Sequence, residues 1–364
     1  MQTETNRQWK TASAANGCEI VRWKGEGQEI DIPAAIDGVP VTAIGRKAFA
    51  GRRELIRISL PDSLSAIGDN AFESCSALRE IAFPAGLKKI GRHAFERCES
   101  LLTAELPQGL TEIGDDAFAY CGLLTGVRLP DGLSRIGSFA FAFCPNLTEI
   151  SVPDSVTSIG SSAFACCPQL AGAKLPAGLA ELPENLFYHC ESLSDPVLPP
   201  ALEHIQDGAF YKCHALGTMV LPAPLVQIGQ SAFAGCKGLQ AVRLGPNVAR
   251  IGREAFTDCR SLSEFTFSPA LKKIGREAFR GCRGLTAIEL PEGLEKIGKE
   301  AFAECGRLLT ASLPASLNDI GRDAFRKCPH VRISAPAHSA GRRYAKKYDL
   351  SLTSEKDSDE PKSE

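Results

Sequence analysis

Phenylalanine recurs at positions 49, 72, 95, 118, 141, 164, 187, 210, 233, 256, 279, 302 and 325, and every interval is 23 residues. A chain of 364 residues would ordinarily split into two or three globular domains. Thirteen in-phase copies without insertion or deletion require a solenoid instead, because a single turn cannot bury its own apolar side and must stack on its neighbours.

Other columns keep the same register. Ala precedes every one of these Phe residues except Phe187, which follows Leu186. Cys stands three residues after the Phe from Cys75 to Cys328, with Arg52 in its place in the first repeat. Leu stands six residues after it from Leu55 to Leu308, ending as Val331. The unit reads A-F-x-x-C-x-x-L-x-x-I-x-L-P-x-x-L-x-x-I-G-x-x. The end of L-x-x-I-x-L alternates with period 2, so it predicts a short strand whose stacked copies make a parallel ladder. The Pro that follows has no N–H and stops that strand. L-x-x-I-G predicts a second short extended run, its Gly in a backbone conformation that a Cβ would hinder. A-F-x-x-C predicts a single helical or 3₁₀ turn with the Phe in the core. The expected fold class is an α/β repeat solenoid. It is a right-handed superhelix of about 13 turns of 23 residues, with parallel β ladders and short helical or 3₁₀ turns.

The segment from Leu78 to Cys98 carries this unit almost unblemished. The chain thereby resembles the BspA-like, treponemal-type leucine-rich repeat family. Ile30–Pro33 with Ile36–Val41 is similar to that family's opening turn, and Val331–Tyr348 to its closing turn and helix. The resemblance covers roughly residues 18–350. It implies a bacterial or protist cell-surface or interaction protein that binds macromolecules, and it brings no catalytic residues.

Five segments are expected. Residues 1–17 form a flexible lead-in, 18–45 an N-terminal capping turn, and 46–335 the repeat array. Residues 336–352 form a C-terminal capping helix, N-capped by Ser339, and 353–364 a disordered acidic tail. In the opening cap, Cys18–Trp23 and Gln28–Ile32 read as strands.

The fourteen cysteines invite a metal or disulfide reading, and spacing argues against it. A structural zinc site needs four converging ligands, whereas each turn offers one. Cysteines stacked in successive turns sit somewhat too far apart for relaxed disulfides. The column therefore reads as a small buried hydrophobe. Cys18 and Cys166 lie off the register and are the candidate reactive thiols. Gly293–Glu300 imitates G-x-x-x-x-G-K, but Glu300 stands where a P-loop needs a hydroxyl, and Gly86–Gly91 shows the same spacing as part of the repeat. The six histidines lie in no catalytic context. No metal and no cofactor is expected.

Two surfaces are candidates for a partner. The first is the strand column between the two apolar strand residues, which varies freely in size and charge and includes Glu105, Arg128, Lys174 and Arg243. Neutral drift on a solvated face would look the same. The second lies where the repeat departs from consensus. Tyr120, Phe143, Cys166 and His189 stand two residues after successive core Phe residues, Tyr188 and Tyr211 stand one after, and Phe139 adds another aromatic. Leu182-Pro183 and Ile205-Gln206 replace Ile-Gly there. Stacked turns would gather these side chains into an aromatic patch, a feature enriched at interfaces. Compensatory packing where the Gly is lost is the alternative.

The formal net charge of −2 gives no nucleic-acid footprint, and no run approaches the length of a membrane span. The N-terminal residues show no signal peptide, which reads as cytoplasmic; the resemblance implies the cell surface or secretion if a leader is removed. The expected function is a non-enzymatic leucine-rich-repeat scaffold for protein–protein interaction or adhesion, monomeric or weakly self-associating. A purely structural, self-associating module is the alternative.

Overall fold

A computed structural model of the chain describes residues 8–14 and 16–353. The chain winds as a parallel β-solenoid of about 15 turns of roughly 23 residues with almost no helix. It falls into two compact units, residues 1–179 with 183–199, and residues 180–182 with 200–364. The boundary coincides with the loss of Ile-Gly at Leu182-Pro183.

Both predicted ladders form. In the first unit the Ile-Gly strands make one sheet that runs from Val39–Ile44 through Ala66–Ile67 to Ser158–Ile159. Its register advances by one repeat per strand, so that Ile67 faces Ile90 and Ile113 faces Ile136. In the second unit the equivalent sheet has seven strands, from Glu181–Leu182 to Asp319–Ile320. The L-x-x-I-x-L strands make shorter ladders, such as Thr103–Glu105 with Gly126–Arg128 and Thr218–Val220 with Ala241–Arg243.

The Gly of Ile-Gly is required by close approach rather than by its dihedral angle. A Cβ on Gly114 would lie 2.6 Å from the carbonyl carbon of Gly91 and 2.7 Å from the amide nitrogen of Arg92, both backbone atoms of the preceding turn.

The A-F-x-x-C segment departs from the helical turn that the spacing suggested. It consists of two successive tight turns with left-handed residues two before and two after the core Phe, as at Asn70 (φ 56°) and Ser74 (φ 59°). The backbone bonds explain why. Ala71, Glu73 and Cys75 donate locally to carbonyls three residues back, whereas Asn70, Phe72 and Ser74 donate to Arg92, Ala94 and Glu96 in the next turn. Alternate N–H groups thus point along the solenoid axis. An α-helix would commit them all within the segment. A residue with positive φ at the third position of each turn is the type II arrangement.

The core is a ladder of rings. Phe49 to Phe187 stack in the first unit with centroids 5.1–5.9 Å apart and planes within 17° of parallel. Phe210 to Phe325 stack likewise at 5.1–5.5 Å in the second. The turn spacing of about 4.8 Å sets this separation, and the small excess reflects the offset that aromatic quadrupoles prefer. All but one of these Phe side chains are fully buried, and Phe325 is 2% exposed in the last turn.

The cysteine column is core. From Cys75 to Cys190 each thiol donates to the carbonyl of a core Phe in the preceding turn, at 3.1–3.4 Å. This column therefore favours a small apolar group with one weak donor. Burial pushes Cys75 up to about 12 and Cys98, Cys121 and Cys144 well above the ordinary thiol value. Such thiols are inert.

At the N-terminal end Trp23 takes the place of a core Phe. Its amide donates to Ala48, as Phe49 donates to Ala71, and its ring lies 6.0 Å from Phe49 and 6.4 Å from Trp9. With no Phe before it, Arg52 replaces the cysteine. Its guanidinium donates to the Trp23 carbonyl at 2.8 Å and lies 4.9 Å from the Trp23 ring centre. The segment expected to be a flexible lead-in contains strand Trp9–Ala14, paired antiparallel with Gly17–Trp23. Its Trp9 is buried, and that burial anchors it. At the other end helix α1 (Ala340–Lys347) is N-capped by Ser339, which accepts from Arg342. Its Tyr344 covers Phe325 edge-on at 6.1 Å. The acidic tail from residue 354 lies outside the described residues.

Candidate partner-binding surfaces

Five of the edge candidates sit on the left-handed positions just described; Tyr188 and Tyr211, one residue after the core Phe, do not. Tyr120, Phe139, Phe143, Cys166 and His189 have φ of 60°, 55°, 58°, 57° and 58°. An L-residue there costs roughly 1–2 kcal/mol relative to Gly. Gly51, Gly235 and Gly281 occupy the same column elsewhere. The left-handed backbone turns these side chains away from the Phe ladder, and they are half-buried or exposed.

Tyr120 and Phe143 stack face to face, with centroids 4.4 Å apart and planes 1° from parallel. The Arg97 guanidinium closes the stack 4.7 Å from the Tyr120 ring centre, a pairing that the sequence did not point to. Phe139 is 39% exposed. Tyr188 and His189 form a second pair at 4.6 Å. Tyr211 belongs to the second unit, where the Lys212 ammonium lies 5.3 Å from its ring centre. Cys166 is half-buried and burial raises its thiol. Cys18, also a candidate reactive thiol, is buried, donates to the Val39 carbonyl, and is raised by burial and by Asp37.

In the second unit the same left-handed columns hold ion pairs and no aromatic residue. Glu277 is held by Arg276 at 2.7 Å and Arg280 at 2.9 Å; Arg280 also reaches Glu304 at 3.2 Å. Arg326 bonds Glu300 at 2.8 Å, and Lys327 lies 3.4 Å from Glu304. Burial pushes Glu277 up, but hydrogen bonds from Arg280 and Arg276 outweigh it and leave the carboxyl below its ordinary value. A hydrogen bond from Arg326 lowers Glu300. In the first unit Asp116 is raised, chiefly by burial, against the lowering effect of His93 and with Glu96 and Asp115 adding to the rise.

The strand column lines a depression. Glu105, Arg128 and Lys174 share one of about 950 Å³ in the first unit, with Asp131, Glu149, Asp154 and Asp195 around it. Gly126 and Gly172, at outward strand positions, place no side chain in its floor. Arg243 stands on a separate ladder of the second unit. Glu105 and Arg128 are register partners, yet among the described residues they make no ion pair, and neither do Glu149, Lys174 and Asp195. Charges one repeat apart on the other strand column do pair, as Lys89 with Glu112 at 2.9 Å and Lys296 with Asp319 at 2.6 Å. Glu149 and Asp195, at the preceding outward position of the strand, were not singled out in the sequence. Their column is legible only once strand orientation is known. Among the described residues no group of three or more His, Cys, Asp or Glu is placed to hold a metal ion, and no helix is long and apolar enough to cross a membrane.

A 23-residue parallel solenoid with a Phe ladder and two outward strand columns is a leucine-rich-repeat protein. BspA type leucine rich repeat regions match residues 28–131, 111–224 and 203–332. The chain belongs to the BspA-type leucine-rich repeat family. Among solved structures it is similar to a leucine-rich repeat protein of Bacteroides ovatus, at 26% identity and a TM-score of 0.65, over 95% of this chain and 97% of that one. A leucine-rich cell surface protein of Faecalibacterium prausnitzii matches at 26% identity and 0.52, over 95% and 97%. The pneumococcal vaccine antigen PcpA shares the fold at 20% identity and 0.58, over 95% and 96%. No curated protein matches the sequence.

Proposed function

We propose that the protein is a non-enzymatic scaffold that binds an extended, basic polypeptide segment along the strand groove of its first unit. The observation that carries this reading is that Glu105, Arg128, Glu149, Lys174 and Asp195 line one depression without an ion pair among the described residues, whereas charges one repeat apart on the other strand column pair, as Lys89 does with Glu112 and Lys296 with Asp319. Five carboxylates against two bases line the groove, so complementarity favours Lys- and Arg-bearing partners. The surface role of the Faecalibacterium relative and the family's repeat architecture support a binding role.

Selection of displayed random peptides on the immobilised protein tests it. Basic sequences should be enriched, and the variant Glu105→Lys/Glu149→Lys/Asp195→Lys should lose them. Enrichment of nothing, or of peptides indifferent to that variant, overturns the reading.

Self-association is the second reading, favoured by the exposed ring of Phe139 and the stacked pair Tyr120–Phe143. Light scattering across concentration separates the two. A monodisperse monomer excludes self-association, and an oligomer that Phe139→Ser/Phe143→Ser dissolves supports it.

A further inference from the structure

One face of the second unit concentrates positive charge in a way its net composition conceals. The residue after the column cysteine is Lys237, Arg260 and Arg283 in three successive turns. Arg307 continues the line one residue later in the next turn, and Lys327 follows from the turn beyond. In the first unit the position holds Arg53 in the first repeat and then Ser76, Glu99, Gly122, Pro145, Pro168 and Glu191, with no base in those six successive turns. All five bases are exposed. Four of them, Arg260, Arg283, Arg307 and Lys327, line a single depression of about 490 Å³, completed by Gly306 and Glu304.

The carboxylate at this site is already engaged. Glu304 accepts from Arg280 at 3.2 Å and lies 3.4 Å from Lys327. Arg260 lies 3.5 Å from Asp258. Arg283 and Arg307 make no ion pair among the described residues. Like charges one turn apart, near 4.8 Å, repel one another. The unit's other basic column, Arg253, Arg276, Lys299 and Arg322, is neutralised turn by turn by Glu254, Glu277, Glu300 and Asp323, a compensation that Arg283 and Arg307 lack. Salt screens that repulsion only in part; a bound anion relieves it further, and a linear one with repeated charges does so at every turn.

We propose that this stack is a binding rail for a linear sulfated polysaccharide, with Arg283 and Arg307 as its central contacts. The planar guanidinium fork suits two oxygens of a sulfate. A single-stranded nucleic acid would draw on aromatic platforms for its bases, and no aromatic lines the depression. An acidic peptide carries its charge on flexible side chains, which must be ordered at an entropic cost on binding.

The test measures binding of the intact protein to heparin, to chemically desulfated heparin, to an oligothymidylate and to polyglutamate. Heparin should bind most tightly at physiological salt and weaken as salt rises. Arg260→Glu/Arg283→Glu/Arg307→Glu should weaken heparin at least about tenfold, since three exposed contacts each become repulsive. Lys10→Glu/Lys24→Glu/Lys88→Glu changes the net charge equally, away from the rail, and should leave heparin binding unchanged. Both variants should melt like the parent, because every substituted side chain is exposed. Equal losses in the two variants would reduce the effect to net charge and overturn the rail. Equal binding of desulfated heparin, or tighter binding of the oligothymidylate or polyglutamate, would overturn the assigned ligand class.

Discussion

The two units share a core and differ at the edge. Two residues after the core Phe, the first unit places Arg97, Tyr120, Phe143, Cys166 and His189; the second places Lys212, Asp258, Glu304 and Lys327, with Gly235 and Gly281 between. The backbone is left-handed at every one of these positions. The same geometry thus presents a stacked aromatic pair in one unit and part of an ion-pair network in the other. The comparison teaches that the solenoid fixes where a side chain emerges and leaves its chemistry open. Surface function is written in columns while stability is written in the repeat.

Breaking the shared core should therefore cost the two units alike. Phe118→Ala and Phe256→Ala each remove a fully buried ring with stacked neighbours on both sides. Each should cost about 3–5 kcal/mol in denaturant unfolding. A cost below about 1 kcal/mol at either position would contradict a load-sharing ring ladder. Gly114→Ala and Gly275→Ala come next in size. The new methyl would meet backbone at 2.6 Å in one case and 2.5 Å in the other, and overpacking of this kind costs about 1–3 kcal/mol.

Acid should separate the units in sign. Glu277 and Glu300 are lowered from the ordinary glutamate value of 4.5. Their pairing stabilises the second unit above that value and is lost as pH falls through the lowered folded-state values. Asp116 is raised above the ordinary aspartate value of 3.8. Its charged form is disfavoured in the folded first unit, so acidification through that raised value removes a penalty. Amide hydrogen exchange resolved by segment should show protection falling around residues 277–304 between neutral pH and pH 4, while protection around residue 116 holds or rises. These groups are partly solvated, so the effects are modest. Parallel loss in both segments would contradict the assignment.

Much of this was legible from the 23-residue period. Phe spacing gave the core column, and Leu-Pro the end of the strand. The tight turns of A-F-x-x-C escaped because side-chain spacing is compatible with one helical turn, and only the inter-turn hydrogen bonds decide between them. The Gly of Ile-Gly was recognised as obligatory for the wrong reason, since close approach to the preceding turn leaves no mark on a single repeat. Of the candidate surfaces, the aromatic residues were visible as departures from consensus. Their left-handed backbone was not, although Gly51, Gly235 and Gly281 in the same column carried that signal. The unpaired state of Glu105 and Arg128 was beyond reach, because register neighbours of opposite sign would be expected to bond.

The smallest effect is the one that best distinguishes the two edges. Asp258 stands at φ 56° and Tyr120 at φ 60°, so replacing either by Gly relieves the same left-handed strain. Asp258→Gly forfeits only an exposed pairing with Arg260, which is worth little. It should stabilise by a few tenths to about 1 kcal/mol once the added chain entropy of Gly is subtracted. Tyr120→Gly gains the same relief but loses its stack on Phe143 and its cover by Arg97, together worth about 1–2 kcal/mol. It should be neutral to slightly destabilising, and thermal melts of the two variants should move in opposite directions or differ by a few degrees. If Tyr120→Gly stabilises as much as Asp258→Gly, the stack contributes nothing to folding. The first unit would then retain a strained tyrosine with no structural return, and the aromatic edge would have to be explained by what binds it.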